Sequence, residues 1–158
     1  MRSRVAFIVT LIALVALALL FSYNCSRLAD EENLDIRTHV EGVCRMVADF
    51  SRGYSEHERV QMLSEISAGH GTVKGLYGAD GGLIYSSDVA DYAQIEDQMA
   101  VSRRDAVVVD RHQTANGKAA IFAIYQYVDG AFLLFEKQEA TVISVVANNH
   151  AQIGRAHV

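Results

Sequence analysis

Residues 116–137 read NGKAAIFAIYQYVDGAFLLFEK, and this stretch decides the fold. Asn116-Gly117 and Asp129-Gly130 are two-residue turn signals of the kind that joins antiparallel strands. Between them, Lys118–Val128 predicts one long strand, and Ala131–Lys137 predicts the next. Side chains alternate along a strand. Ala119, Ile121, Ala123, Tyr125 and Tyr127 therefore point one way, and Ala120, Phe122, Ile124 and Val128 the other. Both sets are apolar, so the strand belongs in the middle of a sheet covered on both faces.

Working outward, Ala106–His112 (AVVVDRH) predicts the strand that precedes Asn116-Gly117. Before it, Asp91–Ser102 has helical spacing, with Tyr92, Ile95 and Met99 on one face. Further back, Thr72–Tyr77 (TVKGLY) and Leu83–Ser87 (LIYSS) flank a GADGG turn and predict a hairpin. Ser55-Glu56-His57-Glu58 has the capping-box pattern, so a short helix should begin there with Val60, Leu63 and Ile66 inward and Gly69 as a stop. Arg27–Phe50 steps apolar residues by four and three, and Glu139–Ala151 predicts a last helix. The order is helix, helix, strand, strand, helix, strand, strand, strand, helix. That is an α+β domain with a five-stranded, mainly antiparallel sheet and covering helices.

The N-terminus predicts an anchor. Val5–Phe21 (VAFIVTLIALVALALLF) has no charged residue. As a helix it covers roughly 25 Å, the lower limit for a span, and Ser22 and Tyr23 can complete it at the interface. Arg2 and Arg4 precede it, whereas Asp30, Glu31, Glu32 and Asp35 follow. The positive-inside bias then places residues 1–4 in the cytoplasm, a transmembrane helix over 5–23, and residues 26–151 outside the cell membrane. A cleaved signal peptide would need a small-x-small site followed by polar chain. Ala16-Leu17-Ala18 is followed instead by Leu-Leu-Phe, which favours retention. Ser22-Tyr23-Asn24 lacks the small residues that would precede a lipid-modified Cys25.

Charge narrows the partners. The chain has 14 Lys+Arg and 19 Asp+Glu. Setting aside Arg2, Arg4 and Arg155, 11 basic residues face 19 acidic ones, which argues against a nucleic-acid partner, because a phosphate backbone needs a basic face. Cys25 and Cys44 are 19 residues apart, roughly 28 Å along one helix, so they cannot bridge within it. They are two free thiols, or Cys44 meets its counterpart across a parallel dimer. The last six residues, Ile153-Gly154-Arg155-Ala156-His157-Val158, translate one frame of a widely used short-read sequencing adapter, and a CAG codon for Gln152 supplies the two leftover bases. Residues 153–158 are therefore expected to be adapter read-through, with the native sequence continuing differently after about Ala151.

Within Arg27–Phe50 the apolar steps Ala29, Asn33, Ile36, Val40, Val43, Val47 and Phe50 form a heptad seam with one polar member. The seam either packs the helix on its own sheet or pairs two copies along a stalk over residues 26–50. For a homodimer, Ile36, Val40, Val43, Val47 and Phe50 are the expected contacts.

An anchor, a membrane-proximal helix and a five-stranded antiparallel sheet with a helix between strands two and three resemble the extracytoplasmic PAS-like (Cache-type) sensor domains of bacterial signal transducers. Val73–Ser87 (VKGLYGADGGLIYSS) and Ala123–Lys137 (AIYQYVDGAFLLFEK) carry the likeness. The resemblance is closest to the sensor part of membrane histidine kinases, and it also extends to diguanylate cyclases and chemoreceptors. It implies a small-molecule or ion ligand between the sheet and the segment after strand two, which would draw on Tyr77, Tyr85, His112, Tyr125 and Tyr127. The plainer reading takes each of them as a half-buried core residue with a wet polar end. No cofactor is expected.

Asp88, Asp91, Glu96 and Asp97 suit a helix N-terminus or a cation-sensitive face. No His, Cys or carboxylate grouping has metal-ligand spacing. No nucleophile motif, phospho-acceptor motif or nucleotide loop is present, so no catalytic residue is assigned. A transmembrane receptor fragment is the expected function. A single-span envelope binding or assembly protein is the alternative.

Overall fold

A computed structural model describes residues 2–88 and 95–156. The chain is α+β: α1 (Arg2–Ser51), α2 (Glu56–Glu65), β1 (Thr72–Tyr77), β2 (Leu83–Ser86), α3 (Glu96–Val101), β3 (Val107–Gln113), β4 (Ala119–Gln126), β5 (Phe132–Gln138) and α4 (Val142–Ala156). The five strands form one antiparallel sheet in the order β2-β1-β5-β4-β3. The element order is the one the sequence predicts. Of the Asp91–Ser102 helix, residues 91–94 lie outside the described residues, Tyr92 among them.

The chain divides into two compact units, Met1–Leu34 with Ala140–Val158, and Asp35–Glu139. In the first, Val5–Phe21 lies within α1, and its apolar side chains are exposed. Among the described residues of this unit, Cys25, Ala29 and Val145 are buried apolar ones. Asn33, the one polar residue of the heptad seam, uses its amide on the main chain of Ala140. Nδ2 donates to the carbonyl at 3.1 Å, and Oδ1 accepts from the amide at 2.7 Å. Thr141 and Ser144 exchange amide-to-hydroxyl bonds, and this cap starts α4 three residues later than the sequence predicts.

In the second unit β4 is the central strand, and Ala120–Tyr125 are all buried. It ends at Gln126, two residues before the predicted end. The Tyr127 amide donates to Ala131 O and the Gly130 amide to Tyr127 O, closing a turn in which Gly130 takes φ +92°. Val128 is therefore 75% exposed and packs on neither face. The last turns of α1 bury Ile36, Val40, Cys44, Val47, Ala48 and Ser51. The expected seam only partly matches this set. Ile36, Val40 and Val47 are buried within the chain's own domain, Val43 is half-buried, and Phe50 is 70% exposed. The reason lies in helix geometry. A straight helix drifts against a seven-residue repeat, so Cys44 and Ser51 take the places the heptad gives Val43 and Phe50.

Helix α2 starts with the capping box read from the sequence. Ser55 Oγ accepts from the Glu58 amide, and the Ser55 amide donates to the Glu58 carboxylate at 2.7 Å. That bond from the Ser55 backbone holds Glu58 below the ordinary carboxyl value.

Candidate functional site

Register assigns each candidate residue to a face. Leu76 pairs with Tyr85 and with Leu133, and Leu133 pairs with Tyr125. Directly paired residues project to the same side. Tyr85 and Tyr125 thus share one face, together with Leu76 and Leu133. Tyr77 follows Leu76 in β1 and pairs with Phe132, which pairs with Gln126. It belongs to the opposite face, as does His112, which pairs with Ala120. The sheet therefore separates the five residues into two groups, and they do not line one pocket.

On the first face, Tyr127 organises the end of α1. The Ser51 hydroxyl donates to Val47 O and shares a 2.6 Å hydrogen bond with the Tyr127 hydroxyl. A serine has one proton to give, so Tyr127 donates in that pair. Arg59 of α2 stacks its guanidinium 3.7 Å from the Tyr127 ring centre. It donates from Nε to Ser51 O and from a terminal nitrogen to Asp129 at 2.7 Å. Arg59 is only 4% exposed, so each of these contacts offsets the cost of burying its charge. Burial pushes the Tyr127 hydroxyl up. Partial burial would raise Asp129 too, but the Ala131 amide and Arg59 outweigh it and hold the carboxyl below its ordinary value.

The Tyr125 ring meets Tyr127 edge-on at 5.0 Å, and its hydroxyl donates to Asp105, a non-glycine residue at φ +58°. Burial first, then Asp105, raise the Tyr125 hydroxyl to about 12. Cys44, fully buried nearby in the same unit, is raised to about 12 by burial and is an unreactive thiol. Lys74 donates to Ile66 O, and burial lowers its ammonium.

On the second face, Tyr77 packs with Ile95, Phe122, Ile124, Phe132 and Leu134, and Met99 and Val108 join the cluster. The Tyr77 ring lies over Gly75, where a Cβ would stand 2.8 Å from it, so this neighbour has to lack a side chain. Beside this cluster His112 bridges two elements. Its Nε2 lies 2.5 Å from Glu136 Oε2 on β5, and its Nδ1 lies 3.1 Å from Gln98 Nε2 on α3. The Phe122 ring meets the imidazole edge-on at 5.5 Å. The hydrogen bond to Glu136 raises His112 above its ordinary value and outweighs the opposing effect of burial. Gln98 is 1% exposed, and its Oε1 has no hydrogen-bond partner among the described residues.

Among the described residues, the small clefts of this unit include three. One of about 270 Å³ is lined by Asp80, Gly81, Ile95, Glu96 and Met99. A second of about 250 Å³ lies between α2 and the two hairpin turns, with Arg59, Asp129, Leu76 and Ile84 in its lining. An apolar groove of about 230 Å³ is formed by Met46, Val47, Phe50, Tyr54, Met62 and Ile66. All three are below the usual size of a drug-sized ligand site. Among the described residues no group of three or more His, Cys, Asp or Glu could hold a metal ion. Asp91 of the acidic run lies outside the described residues.

Sequence reading passed over Arg59, Ser51, Asp105, Gln98 and Glu136. One signal was available for the first of these. Arg59 stands four residues before Leu63, so helical spacing puts it on the buried face of α2.

No family model matches the chain, and neither does any curated protein or solved structure.

Proposed function

We propose that this chain is the N-terminal sensor portion of a bacterial transmembrane signal-transduction receptor, with a two-component sensor histidine kinase as the first choice of output. In this reading the Val5–Tyr23 segment spans the cell membrane. The Asp35–Glu139 unit stands outside the cytoplasm as a PAS-like (Cache-type) domain, and the receptor works as a homodimer. The observation that carries it is the single helix α1. It contains the apolar Val5–Phe21 stretch at one end, and at the other its Ser51 side chain bonds to Tyr127 beside the sheet. A change in sheet packing would reach such a helix directly, and two packings with different ligand affinity are all a receptor needs. The helix between β2 and β3 and the five antiparallel strands agree with the same family. The clefts beside α3 and α2 are small, so the ligand in this reading is an ion or a molecule of few atoms. For the homodimer, Met46 and Phe50 give α1 an exposed apolar side next to the seam residues the sheet has taken.

A long sequencing read across the source locus, combined with a reporter fused after Ala151, tests this reading. A frame that runs on into a second apolar span and an effector module, with the reporter active only outside the cytoplasm, supports it. A stop codon soon after Ala151 would replace it with a single-span envelope binding protein. A cytoplasmic reporter signal would remove both.

A further inference from the structure

We propose that His112, Glu136 and Gln98 form a proton-binding site that tightens the docking of α3 on the sheet as the surroundings acidify. The proposal concerns the domain's own conformational equilibrium and does not rest on the receptor reading.

The geometry gives three reasons. First, His112 is held from two elements distant in sequence, by Glu136 on β5 at 2.5 Å and by Gln98 on α3 at 3.1 Å. Its state therefore bears on how firmly α3 sits. Second, the charged groups that face the ring are acidic. Glu136 projects from β5, and Asp97 acts on it from α3. Asp110, two residues back on the same face of β3, turns its carboxylate onto the Arg111 amide. From β4, Ala120 pairs with His112 and the Phe122 ring meets it edge-on, and neither carries a charge.

Third, the Gln98 amide can serve either protonation state. Toward a neutral ring, its NH2 donates to Nδ1 and leaves Oε1 without a partner among the described residues. Once Nδ1 carries a proton, a half-turn of the amide presents Oε1 as the acceptor. Both bonds of the imidazolium, to Glu136 and to Gln98, are then charge-assisted, and such bonds are about twice as strong as neutral ones. The sign follows from linkage. A histidine whose folded value lies above its unfolded one, near 6.5, adds stability below that value and loses it as pH rises through the folded value.

The test is amide hydrogen exchange of the full chain in lipid nanodiscs at about pH 8 and about pH 5, a range in which histidine is the side chain that normally titrates. Exchange is expressed as protection factors so that intrinsic rates cancel. The amides to follow are those of Met99, bonded to Ile95 O, and Ser102, bonded to Met99 O. Protection there is expected to rise severalfold on acidification. His112→Gln should abolish the rise, and Glu136→Gln should reduce it while leaving the protection of β4 intact. If His112→Gln alters the fold, Glu136→Gln carries the test. Flat or falling protection in the native chain, or an equal rise in both variants, overturns the proposal.

Discussion

On one face of the sheet a phenol pairs with a serine hydroxyl while a guanidinium donates to that serine's carbonyl and stacks on the phenol ring; on the other, a buried glutamine keeps an oxygen with no partner among the described residues. The covering helices differ in the same direction. Helix α2 has a full capping box and an arginine anchored to Ser51 O, Asp129 and Tyr127, and the last turns of α1 bury six residues. Helix α3 is six residues long, has no side-chain cap at Ile95, and buries chiefly Ile95 and Gln98. Local stability follows buried apolar contact and satisfied ends. The α1–α2 face should therefore open only with the whole domain, and the α3 face should open alone. On the receptor reading proposed above, the first side would transmit a change and the second would undergo it.

Four perturbations would break or sharpen this contrast. The full chain in detergent can be unfolded with denaturant and followed by tyrosine signals, because it has seven Tyr and no Trp. Arg59→Ala should have the largest effect, a loss of about 3 kcal/mol, because it leaves the Ser51 carbonyl without its donor and strips the Tyr127 ring of its stacked cation. A loss below about 1 kcal/mol would mean the face is not locked through Arg59. Tyr127→Phe removes one buried hydrogen bond and should cost about 1 kcal/mol. No change on that substitution would place the hold of α1 in apolar packing alone.

Gln98→Met should cost less. At pH 8 it is expected to be near neutral, because removing a buried oxygen with no partner among the described residues offsets the loss of the amide donated to His112 Nδ1. Destabilisation as large as that of Tyr127→Phe would make the two faces alike. The smallest effect belongs to Asp129→Asn. Asp129 lies below its ordinary value in the fold, so its contribution is present above about pH 3.9 and is lost as pH falls toward the folded value. The variant should flatten that acid limb and leave stability near pH 7 within about 1 kcal/mol, because the carboxylate is exposed.

Much of the fold was legible because local signals agree with it. Glycine-bearing turns bound the hairpins, the capping box starts α2, and the apolar run on β4 asks for cover on both sides. The candidate site was less legible, for a geometric reason. Which face a strand residue takes depends on register, and register depends on how a turn closes. Tyr77 and Tyr85 flank one hairpin, but the pairing shifts between Leu76 and Tyr77, and the two rings fall on opposite faces. Tyr127 lies just past the last ladder residue of β4, where strand alternation no longer specifies a partner. Gln98 and Glu136 were passed over because polar residues on amphipathic elements normally face water. Only the placement of His112 between them gives them a common role.

Hydrogen exchange across the whole chain in nanodiscs tests the asymmetry most directly. The amides of Val40–Ser51 and of β4 should exchange together, at the rate of global unfolding. Those of α3 should exchange at least about tenfold sooner, through local opening. Equal protection on the two sides would show that the faces open as one unit, and the division of roles proposed for them would be wrong.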